Sequence, residues 1–225
     1  MRYMLLVMAA TTMAITTTLY TNSTEAATGS KKVAVWYPGW GTAGISDYES
    51  VSGNIATVDE INPYWYALKA DGSVATYEWA EDPKLLALAR DNGKPMMPLI
   101  SNEFDPGRVS KMLDAESSRK AHADELVSLV VNKGYAGLDV DYEMLYAEDR
   151  DKFSAFVEDL ASQLHTEGKK LAVTVHPKTS EPGTWDGQKS QDYKRLGSAA
   201  DELKIMIYDY HWNGSKAGPA SPPGG

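Results

Sequence analysis

Three acids, Asp139, Asp141 and Glu143, stand at every second position in the run GYAGLDVDYEML, Gly134 to Leu145. On an extended strand that period sends all three carboxyls to one face and Leu138, Val140 and Tyr142 to the other. Carboxylates about 7 Å apart repel by roughly 2 kcal/mol at an effective dielectric near 20. That is enough to move a pKa by more than about one unit. One member of the row is therefore expected to keep its proton near neutral pH, as a general acid must. Glu143, nearest the C-terminal end of the strand, takes that role. The same acids also read as a solvated face on an edge strand, or as an Asp139/Asp141 pair holding a divalent cation in a metal-dependent glycosyltransferase. Apolar flanks and an amphipathic segment on either side argue for a central strand. No glycine-rich phosphate loop follows the first extended run, which counts against nucleotide chemistry.

Other segments must position this row. Extended apolar runs cover Lys32–Tyr37, Glu60–Tyr66, Met96–Ile100, Gly137–Tyr142, Leu171–His176 and Leu203–Tyr208. Helical patterns alternate with them. One opens at Asp82, with Pro83 in its first turn, and stops at Gly93. A second carries Leu126, Leu129 and Val130 on one face. The third places Phe153, Phe156, Val157, Leu160 and Leu164 at helical spacing and ends near Gly168. The alternation predicts an α/β fold with parallel strands and helices outside. An open doubly wound sheet and a closed barrel both satisfy it. Polar or aromatic residues at the strands' C-terminal ends (Tyr37, Ser101, Asp141, Glu143, His176, Tyr208, Asp209) favour a (β/α)8 TIM-barrel type. Such barrels take about 250 residues, and only about the first six β/α units are visible in this chain. The sequence reads as C-terminally truncated, with a Gly/Pro-rich tail over 214–225.

Composition narrows the partners. A net charge of -9 over 225 residues offers no basic patch for nucleic acid or anionic lipid. Residues 1–26 read as a signal peptide: Arg2, an apolar run from Met4 to Ile15, and cleavage near Ala26. That run is too short and too rich in threonine to span a bilayer, so no membrane association is expected after cleavage. A secreted, extracellular or cell-wall protein follows, with a catalytic domain over 27–213. There is no cysteine, so the fold must hold without disulfides.

The acid run resembles the Asp-Gly-x-Asp-x-Asp-x-Glu signature of glycoside hydrolase family 18, the chitinases and related N-acetylglucosaminidases. Met206-Ile207-Tyr208-Asp209 resembles that family's Met-x-Tyr-Asp motif. The segments INPYWY, PLISN and HPKTSEPGTWDG are similar to the spore cortex-lytic and cell-wall branch, which cleaves peptidoglycan. The resemblance implies retaining hydrolysis of β-1,4-linked N-acetylglucosamine glycans, chitin or peptidoglycan, without an enzyme nucleophile and without a cofactor. In that scheme Glu143 protonates the glycosidic oxygen and the substrate's own acetamide oxygen attacks. Asp141 orients the acetamide N–H, Asp139 shares a proton with Asp141, and Tyr208 donates to the acetamide oxygen. Asp209 contacts the sugar or the acid network, and Met206 belongs to the same motif. Ala136 departs from the signature's first Asp. The eighth-strand tryptophan of the family has no counterpart, since Trp212 does not match that position. A catalytically impaired glycan-binding remnant is the competing reading.

Several further side chains have two readings. Trp36, Trp65 and Trp185 either stack on sugar faces or pack internally; the first two sit near strand ends and the third in a polar loop. His176 reads as a hydrogen-bonded structural histidine. Lys178 touches substrate or is solvated, and His122 and His165 are expected at the surface. No His/Cys/acid spacing suggests zinc. Asn213-Gly214-Ser215 fits a glycosylation acceptor.

Overall fold

The computed structural model describes residues 31–40, 46–211 and 214–221. The expected signal segment, Trp212 and Asn213 lie outside them. Strands β1 (Ala34–Tyr37), β2 (Glu60–Leu68), β4 (Leu99–Ser101), β5 (Gly137–Asp141), β6 (Lys170–Val175) and β7 (Glu202–Ile205) are parallel neighbours in the order β1-β2-β4-β5-β6-β7. A short strand β3 (Val74–Thr76), absent from the sequence reading, folds back antiparallel on β2. Helices α1 (Asp47–Gly53), α2 (Pro83–Asp91), α3 (Pro106–Leu113), α4 (Glu116–Lys133), α5 (Arg150–Thr166), α6 (Asp186–Lys189) and α7 (Tyr193–Ala199) fill the connections.

The sheet is strongly curled. In a flat sheet β7 and β2, four positions apart, would be separated by about 19 Å. Yet Lys204 Nζ on β7 lies 3.1 Å from Glu60 Oε1 on β2. Trp36 on β1 also meets Tyr208, just past β7, with ring centroids 6.1 Å apart. The concave face of this parallel half-barrel is therefore a shared interior. Among the described residues β1 and β7 pair only with β2 and β6, so the sheet is open between them.

Helices cover the convex face for the reason their spacing predicts. Phe153, Phe156, Val157, Leu160 and Leu164 of α5 are all fully buried, each side chain contributing about 1.5–3 kcal/mol. They pack with Leu138, Val140 and Tyr142, the apolar side of the acid strand. Asp82 caps α2 by accepting from Lys84 N, with Pro83 in the first turn. Gly134 and Gly168 take positive φ just beyond α4 and α5.

Each expected run shifts at one or both ends, most of all the third and the last. The third run pairs regularly only over Leu99–Ser101, while Met96 makes a single bridge to Ile61. The last strand ends at Ile205 instead of Tyr208, because the chain leaves the ladder and Asp209 adopts φ 56°.

Two surface expectations are also corrected. His122 is buried, its Nε2 2.6 Å from the Tyr142 hydroxyl, and burial lowers its pKa to about 4. Its helix faces β5, and a core tyrosine needs a polar partner there. Lys178 is not solvated. Its side chain is buried over the Tyr193 ring and donates to the carbonyls of Gln188 and Gln191. His165 is half exposed and pairs with Asp201 at 2.8 Å.

Candidate active site

Asp139 and Asp141 are buried on β5, and Glu143 follows at its C-terminal end. Asp141, Glu143 and Tyr208 line one cavity of about 210 Å3, together with Trp36, Tyr64 and Phe104. Tyr208 lies close enough to the acids for their charge to push its hydroxyl up to about 12, after burial.

Glu143 is set by its backbone. Asn102, just after β4, accepts from Glu143 N at 2.9 Å and donates to Glu143 O at 2.8 Å. This two-way clamp fixes where the carboxyl leaves the strand. Burial, then the charge of Asp209, raises the Glu143 pKa to about 7. The cause differs from the sequence expectation, in which repulsion along the row leads. Asp141 is raised well above the carboxylate range, first by burial and then by Glu143 and Asp139. Its Oδ1 has no hydrogen-bond partner among the described residues. Both groups are thus disposed to carry protons. His176 Nε2 lies 3.8 Å from Glu143 Oε2 and accepts from Met144 N at 3.4 Å. Burial lowers its pKa to about 4, so it is neutral beside the acid.

Asp139 is different. Its Oδ1 accepts from Thr174 Oγ1 at 2.9 Å, and its Oδ2 accepts from Trp36 Nε1 and Lys204 Nζ, each at 3.1 Å. Both oxygens are engaged by groups other than Asp141. The same donor set speaks against a metal pair at Asp139 and Asp141, since an ammonium already neutralises Asp139. Among the described residues no group of acids and histidines is arranged to hold a metal ion.

The tryptophans separate cleanly. Trp36 reaches the site, half exposed and bonded to Asp139. Trp65 does not: it is fully buried, its ring 6.1 Å from that of Tyr135. Asn62 and Tyr64 face the cavity, so the strand's alternation, with an irregularity in the Tyr64–Tyr66 register, sends Trp65 to the opposite side. Trp185 stands further out, its ring 4.6 Å from His176. Met206 is buried and does not contribute to the wall of the acid cavity. Asp209 lines a neighbouring cavity of about 690 Å3 with Tyr208.

Sequence reasoning missed Lys204, Asn102, Thr174 and Tyr64. Lys204 had a visible signal: it shares two-residue spacing with Met206 and Tyr208. Asn102 closes the PLISN segment.

Comparison with known proteins bears on this geometry. The Bacillus subtilis protein YdhD, whose name proposes a sporulation-specific glycosylase, is 33% identical over 124 residues, 55% of this chain and 29% of that protein. The cortical fragment-lytic enzyme of Bacillus subtilis is 27% identical over 148 residues, 62% of this chain and 33% of that enzyme. The crystal structure of a class V chitinase from Pseudomonas fluorescens superposes with a TM-score of 0.78 at 26% identity, covering 85% of this chain and 61% of that one. The matched segment therefore spans less than two thirds of each of these proteins. Residues 32–223 match the model described as Glycosyl hydrolases family 18. That match takes in the acid row, its asparagine clamp and Tyr208 alike, and the chain belongs to glycosyl hydrolase family 18.

Proposed function

We propose that the protein hydrolyses β-1,4-linked N-acetylglucosamine glycans, chitin or peptidoglycan, by substrate-assisted retaining catalysis. The observation that carries this reading is the placement of Glu143. It is clamped at the strand end, holds its proton up to about pH 7, and opens into the same cavity as Asp141 and Tyr208. A carboxylic acid in that state can protonate a glycosidic oxygen.

In this mechanism no side chain attacks the sugar. The substrate's 2-acetamido oxygen closes on the anomeric carbon as Glu143 delivers its proton to the leaving oxygen. The acetamide is intramolecular, so the protein has mainly to orient it. Tyr208, with its proton held to about pH 12, donates to the acetamide oxygen. Asp141 meets the acetamide N–H through its unpartnered Oδ1. Glu143, now ionised, then takes a proton from the water that opens the oxazolinium ring. Trp36, half exposed beside Tyr208, offers an apolar floor for the sugar face. Relatives named as cortical fragment-lytic enzymes favour peptidoglycan as the polymer. Export through residues 1–26 would bring the enzyme to such a substrate.

The test uses oligosaccharides with and without the 2-acetamido group at the cleaved sugar. Cleavage of the acetylated substrate alone, with the first product retaining its anomeric configuration by NMR, is the expected result. Equal cleavage of the de-N-acetylated substrate, or inversion, would rule the mechanism out.

A further inference from the structure

Glu143 gives its proton to the oxygen between two sugars, so the leaving sugar begins beside that carboxyl. Asp141, Tyr208 and Trp36 line the cavity that takes the reacting sugar. His176 and Trp185 stand outside its wall, next to the acid. His176 Nε2 lies 3.8 Å from Glu143 Oε2. The Trp185 ring packs on the imidazole, with centroids 4.6 Å apart and planes inclined by 58°. Trp185 is therefore one side chain removed from the proton donor, yet 38% exposed.

The loop between β6 and α7 holds the ring in that place. His176 is fixed through its backbone: its N–H donates to Gln191 Oε1 at 2.9 Å, and its carbonyl accepts from the Tyr193 hydroxyl. Lys178, two residues on, is buried and donates to the carbonyls of Gln188 and Gln191. Glu181 ties the outer part of the loop to Arg150 at 3.0 Å. Gln188 accepts from Thr184 N, just before Trp185, at 2.8 Å and donates to Pro177 O at 2.7 Å. Gly187 completes the seat. A Cβ there would lie 2.1 Å from the Trp185 ring, so a larger residue would push the ring out of this pose. A ring wedged between an imidazole and a glycine, with more than a third of its surface open, is ready to stack without further ordering.

We propose that Trp185 is the platform for the sugar on the leaving-group side of the cleaved bond, held in place by His176 and Gly187. The inference rests on the functional reading above and deepens it by naming where the second sugar of the bond sits. The indole offers a flat apolar surface to the C–H face of a pyranose, a neutral ligand that needs no charged partner. Stacking of this kind is made before cleavage and during it alike. It therefore strengthens binding of the longer glycan more than it speeds the chemical step.

Two substrates with the same reacting end test this in the full chain. One is an N-acetylated β-1,4 tetrasaccharide that is cut into disaccharides. The other is the β-fluoride of the corresponding disaccharide, whose leaving atom is too small to reach the ring. Trp185→Ala is expected to raise KM for the tetrasaccharide about tenfold and to lower kcat by less. Its loss in kcat/KM on the tetrasaccharide should exceed that on the fluoride by about the same factor. Trp185→Tyr, which keeps a flat ring, is expected to recover most of the loss. Equal losses on the two substrates would show that Trp185 acts only through the fold and would overturn the proposal. A Trp185→Tyr variant as impaired as Trp185→Ala would overturn it too. A wild-type chain that cleaves neither substrate refutes the glycosidase reading, and the subsite falls with it. A wild type that cleaves both, with Trp185→Ala matching it on each, refutes the subsite alone.

Discussion

Glu143 and Asp141 bind protons more tightly than free carboxylic acids because they are buried on the concave face of the sheet, and like charges add to this. Two predictions follow from Glu143, whose pKa is about 7. As a general acid it works in the protonated form, so kcat/KM should fall as pH rises through about 7; a rate still climbing at pH 8 would count against the donor role. The second concerns stability. A carboxyl with a raised folded pKa favours folding less as pH rises from its unfolded value, near 4.5, to its folded value, about 7. Glu143→Gln should therefore melt above the wild type at pH 8, by at most about 3 kcal/mol, with the difference vanishing below about pH 4.5. Equal melting at pH 8 would contradict the raised affinity. The acid row was legible in the sequence because two-residue spacing is a local signal. Lys204 showed in the sequence only the two-residue spacing it shares with Met206 and Tyr208; its contacts with Glu60 and Asp139 depend on the curl that brings β7 across to β2. Trp65 was misplaced because YWY offers aromatics at both parities, and only the packed sheet shows which parity faces the cavity.

The elements most directly responsible for the site are β4 and β5. Asn102 holds both backbone groups of Glu143, so Asn102→Ala should lower kcat more than it raises KM and cost about 1–3 kcal/mol of stability. A variant altered only in KM would show that the clamp does not position the acid. At the other end of β5, a Cβ on Gly137 would lie 2.3 Å from the Lys170 carbonyl oxygen on β6. Gly137→Ala should therefore strain the β5–β6 pairing and destabilise the fold by about 1–3 kcal/mol, read as a lower denaturation midpoint. An unchanged midpoint would mean that the strands yield freely. Helices α2 and α5 were readable from their caps and stripes, which are properties of neighbouring residues. β3 and the end of β7 were not. The first is three residues long, and the second leaves its ladder where tertiary contacts, not strand propensity, decide the path.

For the molecule as a whole, the parallel order of strands and the covering helices were legible from the alternation of patterns. The closeness of β1 to the segment after β7 was not, because nothing local encodes curvature. The edges of β1 and β7, unpaired among the described residues, with Val33, Ile205 and Ile207 exposed beside them, should make the 225-residue chain self-associate as its concentration rises. Sedimentation velocity would show this, and a monomer at every concentration would contradict it. The claim on which the rest depends is that Glu143 gives a proton to a glycan seated against Asp141 and Tyr208. The most direct measurement compares binding and cleavage of one N-acetylated β-1,4 oligosaccharide by the wild type and Glu143→Gln. The account predicts that the variant binds with nearly the wild-type Kd and cleaves nothing. Retained cleavage, or binding lost in step with it, would contradict the account.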